Sequence, residues 1–197
     1  MNATDALFLK LADHFVASSS YAEILSGLQA IQWGDTAALN HQKVTDLLNQ
    51  ISARDGSQRP ESQVEAHLPL IQKLTSGSDI ETVVSAILSN TDEHPWLVRA
   101  RTTLAGGCPI TAHIVWNQLQ HGPDLNLADC FRLELTLSVN CAVRGDFAEG
   151  IRALLIDKDK QPKWQHASVN DVDAETIDEF FTSPWGAAEH PLANLGQ

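Results

Sequence analysis

The sequence has little positive charge. Thirteen lysines and arginines stand against twenty-five aspartates and glutamates, a formal net charge of −12. A nucleic-acid partner calls for a basic surface, so that class is disfavoured. An anionic membrane surface is disfavoured for the same reason. No apolar run approaches the roughly 18 residues that a membrane-spanning helix requires. Cysteine is scarce as well: Cys108, Cys130 and Cys141 are odd in number and irregular in spacing. They suggest no disulfide framework and fit a reducing compartment. Cys130 and Cys141 lie on an apolar helical pattern and read as small buried hydrophobes. Residues 1–10 lack the basic and apolar regions of a signal peptide, so the expected location is cytoplasmic.

Motifs for several chemistries are also missing. The eight histidines are scattered, with no H-x-x-x-H or C-x-x-C spacing, so no zinc site is expected. No G-x-S-x-G elbow is present, which removes the common serine-hydrolase reading. The acidic group Asp171, Asp173, Glu175, Asp178 and Glu179 lacks the spacing and central glycine of a calcium loop. It suits a helix N-terminus instead. Cys108 and His113 are five residues apart and would need a fold-built geometry to act as nucleophile and base. There is no internal repeat and no low-complexity tract.

What is there is apolar periodicity. Hydrophobic residues make up 43% of the 197 positions, enough for a sizeable core. Asn2 with Asp5 opens a first short helix. Residues 12–16 turn toward strand character, the one strand expected. Ser20 with Glu23 and Ser78 with Glu81 have the spacing of capping boxes. Thr36 opens a helix over 36–53, with Val44, Leu47, Leu48 and Ile51 on one stripe. Further helices are expected over 64–74, 95–104 behind Pro95, and from Pro109 to the Gly122-Pro123 stop. Residues 127–143 read as a long amphipathic helix ended by Gly145. Asp146 with Glu149 caps the next, over 147–156, and 174–181 forms the last. The reading is a mainly α chain of about nine helices. Trp96, Trp116, Trp164 and Trp185 are expected at helix contacts.

One stretch is more specific. The run Asp146-Phe147-Ala148-Glu149-Gly150-Ile151-Arg152-Ala153-Leu154-Leu155-Ile156-Asp157-Lys158-Asp159-Lys160 continues through Gln161-Pro162-Lys163-Trp164. It closely resembles the C-terminal stretch of 3-hydroxyisobutyryl-CoA hydrolases of the enoyl-CoA hydratase (crotonase) superfamily. Three other segments resemble that family in the same order. These are residues 2–16, the Cys108-Pro109-Ile110-Thr111 segment with the helix after it, and Leu127-Ala128-Asp129-Cys130-Phe131-Arg132-Leu133-Glu134. Where this sequence has Cys108 the family usually has serine.

The resemblance implies the helical C-terminal part of an α/β crotonase-like fold, with residues 1–16 ending the core. Residues 17–197 would then be the helical C-terminal region, with 183–197 as a loosely ordered tail. It implies hydrolysis of 3-hydroxyisobutyryl-CoA in valine breakdown, in the cytoplasm or in the mitochondrial matrix of a eukaryote. Family members build an oxyanion hole from two backbone N–H groups and use a Glu and an Asp soon after a Gly-rich segment. All of these would precede Met1, so no catalytic residue is expected here, and the N-terminal core is a missing partner. No metal or redox cofactor is implied, only the CoA thioester as substrate, and a homo-oligomer is expected. Lys158 is the one candidate binding residue, as a point charge for a CoA phosphate. Arg152 with Glu149 reads as a weak surface pair, and 157–160 as a solvated turn. The rivals are another crotonase activity, such as an enoyl-CoA hydratase or isomerase, and a non-enzymatic helical module.

Overall fold

A computed structural model describes residues 1–186 and 189–196. Of the expected tail over 183–197, Ala187, Ala188 and Gln197 lie outside the described residues. Among the described residues there are ten α-helices and no strand. The strand expected at 12–16 does not form: Asp13 lies in a bend, and residues 12 and 14–16 have no regular secondary structure. A strand needs a neighbour for its N–H and C=O groups. Here Ala17 N–H is taken by a side chain, Asp55 Oδ2, at 2.9 Å.

The chain divides into two compact units, Met1–Lys73 and Leu74–Gln197. The first holds α1 (Ala3–Phe8), α2 (Tyr21–Ala30), α3 (Ala37–Asp55) and most of α4 (Gln63–Leu74). Asn2 caps α1 as expected, and the Asp5 carboxylate accepts the Asn2 N–H to complete a capping box; Thr36 caps α3. The box expected at Ser20 and Glu23 does not form. Ser20 Oγ instead donates to Asp55 Oδ2 at 2.6 Å, and Arg54 reaches both Ser20 Oγ and Glu23. Asp55 is 2% exposed, so a buried carboxylate takes the hydroxyl that a solvated cap would have used. Of the α3 stripe only Ile51 is buried.

The second unit holds α5 (Ile80–Leu88), α6 (Pro95–Ala105), α7 (Pro109–His121), α8 (Leu127–Val143), α9 (Asp146–Ile151) and α10 (Ala174–Phe181). Prolines open α6 and α7 because the first helical N–H has no intrahelical acceptor to lose. The second expected capping box shifts by one residue: Asp79, not Ser78, caps α5 by accepting from Thr82 N–H. α10 packs on α8 and α7, and α5 packs on α6 and α7. The core joins Ile110 and Ile114 of α7, Leu137 of α8, and Val172, Ile177 and Phe180, with Cys108 and Cys141 against it. Asn140, 3% exposed, ties α8 to the end of α10. Its Nδ2 lies within hydrogen-bond distance of the carbonyls of Glu179, Phe180 and Thr182. Arg132 holds the chain after α10 through the carbonyls of Leu192, Ala193 and Leu195.

Candidate functional site

The segment from Asp146 to Trp164 folds back on itself in the second unit. It starts at Gly145, whose φ of 122° is open to glycine and strained for other residues. A Cβ there would also lie 1.6 Å from Gln165 Nε2. α9 then begins, but Asp146 and Glu149 do not form the expected cap. Asp146 Oδ1 accepts from Gln165 N–H at 3.0 Å, and its Oδ2 accepts from the Cys108 thiol at 3.2 Å. Trp164 Nε1 donates to Gly106 O at 3.0 Å, and its ring lies against Gly150, where a Cβ would be 3.4 Å from it. The aspartate and the tryptophan at the two ends of the run therefore anchor it to the α6–α7 turn.

Arg152 is the centre of the fold-back, not one half of a weak surface pair. Nε and Nη2 form a two-pronged pair with Glu149 at 2.8 and 2.7 Å. Nη1 reaches Asp157 at 2.6 Å and Asp159 at 2.7 Å, and Nη2 also reaches Gln161 O at 3.2 Å. All five guanidinium N–H donors are used. Glu149 Oε1 also accepts Lys163 N–H at 2.6 Å. After α9 the helix widens into a π-turn over Arg152–Ile156, closed by Asp157 N–H to Arg152 O at 2.8 Å. The exposed turn expected at 157–160 is therefore pinned.

The Arg152 hydrogen bond, with Lys163 N–H behind it, holds the Glu149 carboxyl at about 2, against an ordinary 4.5. The same guanidinium, followed by Gln161 N–H, lowers Asp159, and the carboxylates raise Arg152. Glu149's pKa is depressed by folding, so its contribution is complete above pH 4.5 and is lost as the pH falls toward 2. Acidification over that window is expected to release the 157–163 segment. The Trp164 indole proton resonance reports this directly. A resonance that stays put down to pH 2 would show that Glu149 does not hold the segment.

Lys158 is exposed at the tip of this turn. Lys158 and Lys160 both have φ of 57°, a left-handed conformation uncommon for residues with a Cβ. Among the described residues neither has an ion-pair partner. Lys160, not Lys158, lines a groove of about 840 Å³ with Cys108, Asp146, Phe147, Leu154 and Trp164. A second groove of about 740 Å³ shares Thr103, Cys108 and Trp164 with it. The structure does not bring Cys108 and His113 together as nucleophile and base. His113 Nε2 is 2.8 Å from Val169 O. Burial pushes the Cys108 thiol up, and the Asp146 carboxylate further disfavours a thiolate. Among the described residues no three His, Cys, Asp or Glu side chains form a group that could hold a metal ion. Sequence reading missed the Asp146 cross-link and the full reach of Arg152. The i,i+3 spacing exposes only Glu149, because Asp157 and Asp159 reach Arg152 through a π-turn that no periodicity marks.

A family model described as enoyl-CoA hydratase/isomerase matches residues 1–181. Among similar proteins, the mitochondrial 3-hydroxyisobutyryl-CoA hydrolase of Gallus gallus is 29% identical over 92% of this chain and 46% of its own length. The 3-hydroxyisobutyryl-CoA hydrolase-like protein 5 of Arabidopsis thaliana is 26% identical, with the same 92% and 46%. The chain thus spans about half the length of these relatives. In solved structures, a carnitinyl-CoA dehydratase from Mycobacterium thermoresistibile superposes with a TM-score of 0.75 at 21% identity, over 98% of this chain and 50% of that one. An enoyl-CoA hydratase from Rhodobacter sphaeroides 2.4.1 gives 0.70 at 22% identity, over 93% and 48%. This half-length match to crotonase folds agrees with a mainly α chain that supplies one part of such a fold.

Proposed function

The chain belongs to the enoyl-CoA hydratase/isomerase family, and from that premise we propose that it is the C-terminal region of a CoA-thioester hydrolase. The substrate is 3-hydroxyisobutyryl-CoA, and the products are 3-hydroxyisobutyrate and CoA, a step of valine breakdown. The observation that carries this reading is the segment from Asp146 to Trp164. Its run of residues resembles the hydrolases, and the side chains of Asp146, Glu149, Arg152, Asp157, Asp159 and Trp164 in it have partners that close the fold-back. The hydrolase names of the relatives support the same reading.

In this reading the reacting carboxylates and the oxyanion hole belong to the core half of the enzyme, and the 197-residue chain is inactive alone. The reaction needs no metal or redox cofactor, because backbone donors stabilise the oxyanion. Lys158 contributes an exposed ammonium to a CoA phosphate, and such a point charge tolerates the flexible geometry of that contact. The enzyme is a homo-oligomer, located in the cytoplasm or, in a eukaryote, in the mitochondrial matrix; for the eukaryotic case the name of the Gallus gallus relative, a mitochondrial hydrolase, is the support.

The test is release of free CoA from 3-hydroxyisobutyryl-CoA by this chain beside a version extended to the length of its relatives. Release by the extended chain alone is expected. Release by the 197-residue chain would overturn the division of labour. Faster turnover of crotonyl-CoA than of 3-hydroxyisobutyryl-CoA by the extended chain would move the enzyme to the hydratases.

A further inference from the structure

The lysines in Asp157-Lys158-Asp159-Lys160 have carboxylates as immediate neighbours, and in a solvated turn those would be their nearest partners. The structure pairs them otherwise. Arg152 Nη1 takes both Asp157 and Asp159, at 2.6 and 2.7 Å. Asp159 also fixes the turn through Oδ1, which accepts Gln161 N–H at 2.8 Å. Lys160 N–H donates to Ala153 O at 3.0 Å and closes the loop onto the π-turn. Between these bonds the backbone is held left-handed at Lys158 and again at Lys160, with φ of 57° at each. Such conformations persist where the surroundings over-determine them, and they cluster at functional sites.

We infer that Arg152 is a positioning residue for the anionic part of the CoA ester: it takes both neighbouring carboxylates and sets the backbone that presents Lys158. This rests on the Lys158 contact proposed above. Two physical consequences follow. The Lys158 ammonium has no carboxylate partner to leave before it meets a phosphate. Its loop is also ordered before binding, which lowers the entropy lost on association. Lysine cannot replace Arg152 here, because three donors on one nitrogen cannot serve acceptors that surround a planar fork.

Coenzyme A is titrated into the chain extended to the length of its relatives and into its Lys158→Ala, Arg152→Lys and double variants, with a thermal melt for each. Lys158→Ala is expected to weaken binding about tenfold, the loss of one charged contact. Arg152→Lys is expected to weaken it by a similar factor. The double variant should bind no worse than Lys158→Ala, because both changes act on one contact. Asp159→Asn, which removes one arm of the clamp and keeps an oxygen for Gln161 N–H, should fall between wild type and Arg152→Lys. It carries the test if Arg152→Lys fails to melt cooperatively. Unchanged binding in Arg152→Lys, or a loss that adds fully to that of Lys158→Ala, would reduce Arg152 to a structural residue while leaving the Lys158 contact standing. Wild-type affinity in Lys158→Ala, or no binding by the wild type, would sink the contact itself and the inference with it.

Discussion

Asp5→Ala is expected to lower the stability of the Met1–Lys73 unit by about 4 kcal/mol, the cost of leaving several buried donors unpaired. The carboxylate is fully buried, at 0% exposure. Among the described residues it has no cationic partner and is held by uncharged donors. Asn2 N–H is 2.7 Å away, Ser62 Oγ 2.8 Å, Gln63 N–H 2.8 Å and Val64 N–H 2.9 Å. Two of these are N–H groups at the start of α4, so Asp5 caps that helix from nearly 60 residues away in sequence. Alanine would leave the donors facing an apolar methyl. Burial alone would push the Asp5 carboxyl up, but the bonds from Val64, Asn2, Ser62 and Gln63 outweigh it and hold it at about 2, against 3.8. Because that pKa is depressed, the contribution is complete above pH 3.8 and is lost as the pH falls toward 2. Urea unfolding followed by helix circular dichroism at neutral pH is the measurement. A midpoint unchanged from wild type would mean that water takes over the donors and that the carboxylate is not structural.

The second large effect is Phe180→Ala, expected to destabilise the Leu74–Gln197 unit by about 4 kcal/mol. Phe180 is 4% exposed and packs with Ile110, Ile114, Leu137, Val172 and Ile177, so it joins α10 to α7 and α8. Truncation removes the apolar transfer energy and leaves a cavity that three helices cannot close without moving. The Phe180 carbonyl also accepts from Asn140 at 2.8 Å, so displacement of α10 would strain a buried polar contact. Phe180→Leu, which retains most of the volume, should lose far less. Equal losses for the two variants would indicate that the site collapses around either side chain.

Both residues are poorly visible in sequence, for different reasons. Phe180 belongs to an apolar pattern in 174–181 that marks a helix but does not say which other helices it meets. Asp5 reads correctly as a local capping partner of Asn2, and that reading is right as far as it goes. Its larger part, holding the start of α4, depends on residues 62–64 and has no local mark.

The sequence by itself determined the helical class and most helix ends. Those depend on interactions within a few residues: proline at the first helical position of α6 and α7, Thr36 before α3, and the apolar period that sets α8 over Leu127–Val143. It also marked the Asp146–Trp164 run as distinctive. Only the tertiary structure decided where the polar side chains went. Ser20 and Glu23, and Asp146 and Glu149, have the spacing of caps, yet all four bond to more distant groups. A cap at a solvated helix end competes with water and gains little. The same oxygen gains more where a buried carboxylate, a guanidinium or the backbone of a returning segment excludes water and supplies several bonds at once. Which of these is within reach is set by chain packing, and the spacing of residues carries no record of it.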